Sequence, residues 1–420
     1  MNKLFTKLLR IRGFTPSFLN PKYDELLDPF ILNDMKEAVF RIKKAVQNAE
    51  KVLIYGDYDV DGVTASTLIE QALVFAGIKS DHITIMLPDR FIDGYGMSSK
   101  LIKKAQAVAA TLVITVDCGS RNHEIINELN ELGIDVIITD HHETDDKVPE
   151  ATAVINPHRK DAPTENLQNL AGVGVAFKLA QALAKENLIK FDQEKWLLDL
   201  VLIGTICDNM ILTGENRTLG YYGLKVLAKT RRPGLKELMR LAGVKSLTSK
   251  SIGFQIGPRL NAAGRLDTAD IALNLLRSKS GPEAAALAVK LEDLNKKRKT
   301  EQISATREVE ERGIGSDPVI IEIGNWHEGI LGIIASRLVE RYRRPTFVLT
   351  NTTDGFYKGS GRSFGEFNLA EALNYTRSSI ISGGGHAAAA GVKIHEKNLN
   401  ELSQGSARTG PARLVKLQWI

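Results

Sequence analysis

Between residues 51 and 155 the chain alternates short apolar runs with segments of helical period, and this alternation narrows the fold more than any other feature. Val52–Tyr55, His82–Leu87, Leu112–Val116, Asp135–Thr139 and Ala153–Ile155 read as strands. Val63–Ala76, Ser98–Ala109 and Asn122–Leu132 read as helices, with Ser98 as an N-cap and Gly77 and Gly133 as stop signals. Repeated strand–helix–strand units require right-handed crossovers, so the expected fold class is α/β with a parallel sheet. Parallel sheets place their sites beyond the carboxyl ends of their strands. Those ends read G-D-Y-D-V-D-G, V-D-C-G-S and T-D-H-H-E. Three strands thus deliver Asp57, Asp59 and Asp61, then Asp117, then Asp140, His141 and His142 to one edge.

Three carboxylates on alternate positions repel one another unless a cation or water separates them. Residues 57–61 alone could be a solvated acidic turn; the later strand ends favour a metal site. A further candidate is Asp208, which closes the apolar run W-L-L-D-L-V-L-I-G-T-I-C-D, expected to be a buried helix. Mg²⁺ and Mn²⁺ prefer carboxylates, and Mn²⁺ also accepts imidazole. Carboxylates can bridge two such ions, the arrangement of two-metal phosphoester hydrolysis. Structural zinc is disfavoured, since Cys-rich spacing is absent. His141 and His142 must diverge, so one can ligate metal while the other meets a phosphate.

Only two cysteines, Cys118 and Cys207, occur in 420 residues, which argues against a disulfide framework and fits a reducing cytoplasm. Both are expected to be small buried neighbours of the site. No apolar run approaches the ~20 residues that span a bilayer, so no membrane association is expected. The basic N-terminus reads as a surface helix or arm rather than a signal peptide. A net charge of +5 permits a polyanionic partner without requiring one.

The expected organisation is a lead-in over 1–45, a catalytic domain with a helical extension over 46–281, and a long charged connecting helix over 282–312. A second, smaller α/β domain over 313–400 and an irregular tail over 401–420 follow, with the active-site cleft expected between the two α/β domains. In the second domain, Val319–Ile323 and Thr346–Thr350 read as strands, and Gly329–Tyr342 and Leu369–Thr376 as helices. The charge run Lys296–Lys299 is expected to be a solvated helix face.

D-Y-D-V-D-G, V-D-C-G-S, T-D-H-H-E and the buried helix ending in Asp208 resemble the four motifs of the DHH phosphoesterase family. L-P-D-R-F-I-D-G-Y-G-M-S (87–98), I-N-P-H-R (155–159), L-A-G-V-G-V-A-F-K (170–178) and L-T-G-E-N-R (212–217) narrow the likeness to the RecJ-like branch. So do G-P-R-L-N-A-A-G-R (257–265), N-W-H-E-G-I-L-G-I-I-A-S-R (325–337), G-S-G-R-S (359–363) and G-G-G-H-A-A-A-A-G (383–391). The likeness spans roughly residues 45–395.

The resemblance implies a metal-dependent 5′→3′ exonuclease that degrades single-stranded DNA to nucleoside 5′-monophosphates, in repair and recombination, with two Mn²⁺ or Mg²⁺ ions. It implies Asp59, Asp61, Asp117, His141 and Asp208 as metal ligands, with Asp117 bridging and Asp57 as ligand or close neighbour. His142 would face the scissile phosphate, and Asp140 would orient a histidine. Ser360, Arg362 and Ser363, read as a Gly-rich turn, would hold the 5′-terminal phosphate. Gly384, Gly385 and His386 would lie against the nucleotide, and Arg90, Arg259, Asn261 and Arg265 against backbone phosphates. Phe91, Tyr95, Trp326 and His327 are candidates for base stacking, although Trp326 could equally be core. The same resemblance implies single-strand-binding protein and a helicase as partners.

RecJ-like chains usually carry a further oligonucleotide-binding barrel, and the last twenty residues do not read like the start of one. The active-site machinery is expected to survive, with affinity and processivity on long strands altered. Two rival readings stay open: a DHH phosphodiesterase for short oligonucleotides or cyclic dinucleotides, or a pyrophosphatase; and a nonenzymatic DNA-binding homologue.

Overall fold

The computed structural model describes residues 3–14, 16–93, 96–163, 165–352 and 355–398. The chain divides into two compact units, Met1–Glu292 and Asp293–Ile420, and the division falls inside one long helix, Gly281–Arg312.

The first unit is built on a parallel five-stranded sheet, β1 (Val52–Gly56), β2 (Ile83–Met86), β3 (Leu112–Val116), β4 (Asp135–Thr139) and β5 (Ala153–Ile155), in the order β2-β1-β3-β4-β5. Every residue of β1 and β3 is buried, as expected of central strands covered on both faces. The register Gly56↔Val116↔Thr139 aligns the ends of β1, β3 and β4, so their following residues emerge side by side.

The helix after β1 is Val60–Phe75, beginning three residues earlier than its apolar pattern suggests. The Asp59 carboxylate explains the early start: Oδ1 accepts hydrogen bonds from the Asp61 N–H (2.8 Å) and the Gly62 N–H (3.2 Å), an N-cap. Asp61 therefore lies in the first turn of a helix that is buried on nearly all sides. Packed against it are the helices Gly172–Lys185 and Leu198–Cys207, the latter buried from Leu198 to Thr205 with Asp208 at its C-cap.

Two sequence blocks turn out to hold the lead-in. Lys178 Nζ, fully buried, lies 2.5 Å from Glu215 Oε2 and donates to the Leu27 carbonyl (2.9 Å), while the Leu27 N–H donates back to Glu215. This closed clamp accounts for Lys178 of L-A-G-V-G-V-A-F-K and Glu215 of L-T-G-E-N-R.

The second unit carries a mixed sheet, β6 (Ile320–Gly324), β7 (Thr346–Asn351), β8 (Phe356–Arg362), β9 (Ile380–Gly385) and β10 (Ala389–His395), in the order β6-β7-β8-β10-β9. Only β6 and β7 run parallel. The sequence reading of 359–363 as a turn is corrected: residues 359–362 are strand β8, with Arg362 paired to Thr346 on one side and Ala389 on the other. Gly383–Gly385 likewise form the end of edge strand β9. In β8 the glycines make room for side chains of β7, Leu349 over Gly359 and Phe347 over Gly361, whereas in β9 a Cβ at Gly385 would meet the Ala389 carbonyl oxygen and one at Gly384 would meet nothing within 4 Å. Residues 401–420, and Tyr95, lie outside the described residues.

Candidate metal centre

The carboxyl edge of the first sheet gathers every acidic and imidazole residue singled out there from sequence. Asp57, Asp61, Asp117 and Asp140 are 6, 1, 2 and 1% exposed, so these carboxylates sit in protein rather than solvent. Donor atoms of Asp57, Asp59 and Asp117 lie within 4.8 Å of one another, as do those of Asp61, His141 and Asp208, and those of Asp117, His141 and His142. His141 Nε2 is 3.1 Å from Asp117 Oδ1, 3.7 Å from Asp208 Oδ2 and 3.9 Å from Asp61 Oδ2. Asp117 and His141 each belong to two of the three groups.

The local backbone makes this arrangement. Asp117 adopts φ = +60°, a left-handed conformation that aspartate tolerates better than most residues but that still costs of order 1 kcal/mol. It turns the side chain into the site as β3 ends. Gly172 is obligatory opposite it, since a Cβ there would stand 2.5 Å from Asp117 Oδ1. A Cβ at Gly204 would likewise stand 2.8 Å from Asp61 Oδ1. The Asp61 carboxylate accepts hydrogen bonds from the Gly172 N–H (2.6 Å) and the Val173 N–H (2.9 Å), at the N-terminus of the Gly172–Lys185 helix. Its two oxygens are thereby fixed by main chain from another element.

Electrostatics separates the members. Burial and then the facing carboxylates push Asp61 and Asp117 well above the usual carboxylate range. The same causes raise Asp57 to about 8 and Asp208 to about 7. Burial, followed by the neighbouring His142 charge, lowers His141 to about 4, leaving a neutral imidazole suited to ligation. Burial opposes charge on Asp140 and His142 too, but their mutual hydrogen bond and attraction overcome it. Asp140 is held well below the usual range and His142 is raised to about 9.

Asp140 holds its histidine through His142 Nδ1 (2.8 Å), and it also accepts from the Ser120, His141 and His142 N–H groups at 3.0, 2.8 and 3.2 Å. Asn156 completes that support, donating to Ser120 Oγ (2.8 Å) and the His142 carbonyl (2.9 Å).

These residues fit a pair of hard divalent cations. Asp117 Oδ1 is buried with no hydrogen-bond partner among the described residues, and the surrounding donors are carboxylates and neutral imidazole. Cys118 and Cys207 sit beside the site, but burial raises both thiols, which disfavours thiolate ligation.

Other sequence candidates are distributed differently. The Arg90 guanidinium lies over the Tyr58 ring, 5.1 Å from its centroid, beside the cluster. Asn261 and Arg265 are on the helix Gly257–Leu266. On the same helix Arg259 is mostly buried and engaged by Glu292 (2.5 Å) and the Gln255 carbonyl (2.6 Å). In the second unit, Arg362 donates to Ser360 Oγ (2.9 Å), whereas the Ser363 hydroxyl donates to the Phe367 carbonyl. Gly384 and His386 are exposed at the end of β9, and Gly385 has φ = +147°. Trp326 is buried with its indole N–H on Glu308 (2.8 Å), and His327 caps the helix Glu328–Tyr342 through Nδ1 (3.1 Å). Both rings thus have structural tasks.

Gly172, the Val173 N–H, Gly204, Ser120 and Asn156 escaped residue-level reasoning. The small-residue block 170–174 and the N-P-H turn were the available signals.

A parallel α/β unit with this aspartate–histidine centre, joined to a second mixed-sheet unit, has the architecture of a DHH-type protein. The DHH family N-terminal domain matches residues 51–205 and the DHHA1 domain residues 316–406. The chain is 40% identical to the single-stranded-DNA-specific exonuclease RecJ of Bacillus subtilis, over 95% of this chain and 51% of that protein. Identity to the RecJ of Salmonella typhimurium is 36%, over 89% of this chain and 68% of that one. A crystal structure of exonuclease RecJ bound to manganese superposes with a TM-score of 0.79 at 31% identity, covering 90% of this chain and 94% of that one. The chain belongs to the RecJ family, and spans about half the length of the Bacillus relative. Among the described residues no helix is long and apolar enough to cross a membrane.

Proposed function

We propose that this chain hydrolyses the phosphodiester bonds of single-stranded DNA from the 5′ end, using two Mn²⁺ or Mg²⁺ ions and releasing nucleoside 5′-monophosphates. The observation that carries this reading is the pair of donor groups, Asp57/Asp59/Asp117 and Asp61/His141/Asp208, which meet where His141 Nε2 stands 3.1 Å from Asp117 Oδ1. When bound, such ions activate water and neutralise charge on the phosphoryl oxygens. Asp59, Asp61, Asp117, His141 and Asp208 would hold them, with Asp57 as a further donor.

His142 acts on the substrate. Its Nδ1 is committed to Asp140, so a proton donated to a phosphoryl oxygen comes from Nε2, and the Asp140 carboxylate keeps the ring charged and oriented. Arg362 and Ser360 would receive the 5′-terminal phosphate, a guanidinium being suited to bidentate phosphate binding. Arg90, Asn261 and Arg265 would contact backbone phosphates further along, as would Arg259 on release from Glu292. Gly384, Gly385 and His386 would line the nucleotide. Repair and recombination in the cytoplasm, with single-strand-binding protein and a helicase as partners, is the cellular setting this reading supports.

Digestion of 5′- and 3′-labelled single strands with Mn²⁺, Mg²⁺ or chelator tests the proposal. Loss of the 5′ label first, as mononucleotide and only with metal, is expected. Equal loss of both labels would overturn the polarity, and release of phosphate from pyrophosphate alone would overturn the substrate.

A further inference from the structure

The first unit contains a cavity of about 860 Å³ well away from the carboxylate cluster. It opens along the C-terminal half of the Val60–Phe75 helix, beside Glu70, Gln71, Val74 and Phe75. Glu70 stands nine positions beyond Asp61, about 14 Å along the helix axis. Nothing in the proposed hydrolysis uses this space.

Its lining is built around a stacked pair. The Arg231 guanidinium lies over the Trp196 indole, 3.7 Å from the ring centroid, and the arginine remains exposed on its other side. A guanidinium fixed on an aromatic ring presents a second flat face on which a nucleobase can stack. The acids of the lining are largely committed. Arg277 binds both oxygens of Glu70 (2.5 and 2.8 Å), Thr230 and the Leu200 N–H bind Asp199 (2.7 and 2.8 Å), and Ser278 Oγ donates to Glu283 (2.6 Å). Asp81 remains, exposed at the rim.

The cations are less committed. Among the described residues, Arg231 and Lys279 have no carboxylate partner within ion-pair distance. Arg232 reaches Asp199 and the Leu276 carbonyl only at 3.4–3.5 Å, so its five donors are far from saturated. Amide side chains of Gln71, Gln193 and Asn274 supply donors and acceptors for the edge of a base. The volume suits a nucleotide-sized ligand.

We propose that this cavity binds a nucleoside phosphate, its base stacked on the Arg231 face and its phosphate held by Arg232 and Lys279. The site is separate from the hydrolytic centre, and the shared Val60–Phe75 helix joins the two.

The test is calorimetric titration of the full chain with 5′-AMP, in chelator and again in Mn²⁺. Adenosine and inorganic phosphate are titrated separately. Binding of 5′-AMP in both conditions is expected, with adenosine and phosphate each weaker. Arg231→Ala and Lys279→Ala should each weaken 5′-AMP by about tenfold. Neither substitution touches the hydrolytic centre, so cleavage of labelled single strands should stay within about twofold of the unsubstituted protein. Absence of saturable 5′-AMP binding, or binding that both substitutions leave unchanged, would overturn the proposal. Inorganic phosphate binding as tightly as 5′-AMP would overturn its nucleotide character. None of these outcomes bears on polarity or metal dependence, so the hydrolytic reading fails or stands separately.

Discussion

The first unit buries charge in two places, and they are opposites. At the lead-in, Lys178 meets Glu215 at 2.5 Å and the main chain of Leu27 absorbs remaining donor and acceptor capacity. At the sheet edge, Asp57, Asp61 and Asp117 are equally buried, yet no lysine or arginine forms an ion pair with them among the described residues. A buried anion must be paired, protonated or bound to a cation. The clamp carries its own counter-charge and is complete as folded. The sheet edge has no lysine or arginine partner among the described residues, so its carboxylates are raised toward proton uptake and stand ready to exchange protons for an external cation, which is what separates a structural ion pair from a binding centre.

The contrast can be broken by substitution. Asp117→Asn should lower metal-dependent cleavage of single-stranded DNA by about a thousand- to ten-thousandfold, ~4–5.5 kcal/mol of barrier, measured as kcat/KM with folding verified by circular dichroism. An unchanged rate would place the chemistry elsewhere. Lys178→Met should do the reverse, costing roughly 3–5 kcal/mol of unfolding free energy in urea while the folded fraction keeps its activity. Recovery in Lys178→Met/Glu215→Leu would show that the cost is the stranded carboxylate.

Metal addition sharpens the comparison. Mn²⁺ at a hundred times its Kd should stabilise the chain by about 2.7 kcal/mol per independent site, read as a rise in Tm. The rise should persist in the Lys178→Met/Glu215→Leu variant and shrink by at least one site's contribution in Asp117→Asn. The smallest effect concerns the second unit. Arg362→Lys replaces a planar fork by a point charge, and should raise KM for 5′-phosphorylated strands about tenfold, ~1.4 kcal/mol, with kcat little changed. Equal loss on strands lacking the 5′ phosphate would argue against its assigned contact.

Much of the first unit was legible because its signals are local. The apolar runs read as ending at Tyr55, Val116 and Thr139 mark the strands to within a residue, and the residues after them are the site. What was missed depends on contacts distant in sequence. Asp61 is held by N–H groups 111 and 112 residues away, and no spacing rule reveals that. Trp326 read as a base-stacking candidate because nothing in N-W-H-E shows that its indole reaches Glu308. The glycine-rich stretch of β8 looked like a turn because glycine signals turns locally, whereas here it makes room for Leu349 and Phe347 of the neighbouring strand. The Lys178–Glu215 clamp was hidden in the same way: its partners lie 37 positions apart, in two blocks whose likeness to the family says nothing of their contact.

The central claim is that the unbalanced charge at the sheet edge is a two-cation site organised on Asp117. Counting Mn²⁺ bound per chain, by titration with electron paramagnetic resonance detection, tests it most directly. The account predicts two ions per unsubstituted chain and loss of at least one in Asp117→Asn. No bound ion in the unsubstituted chain, or the same count in both proteins, would contradict it.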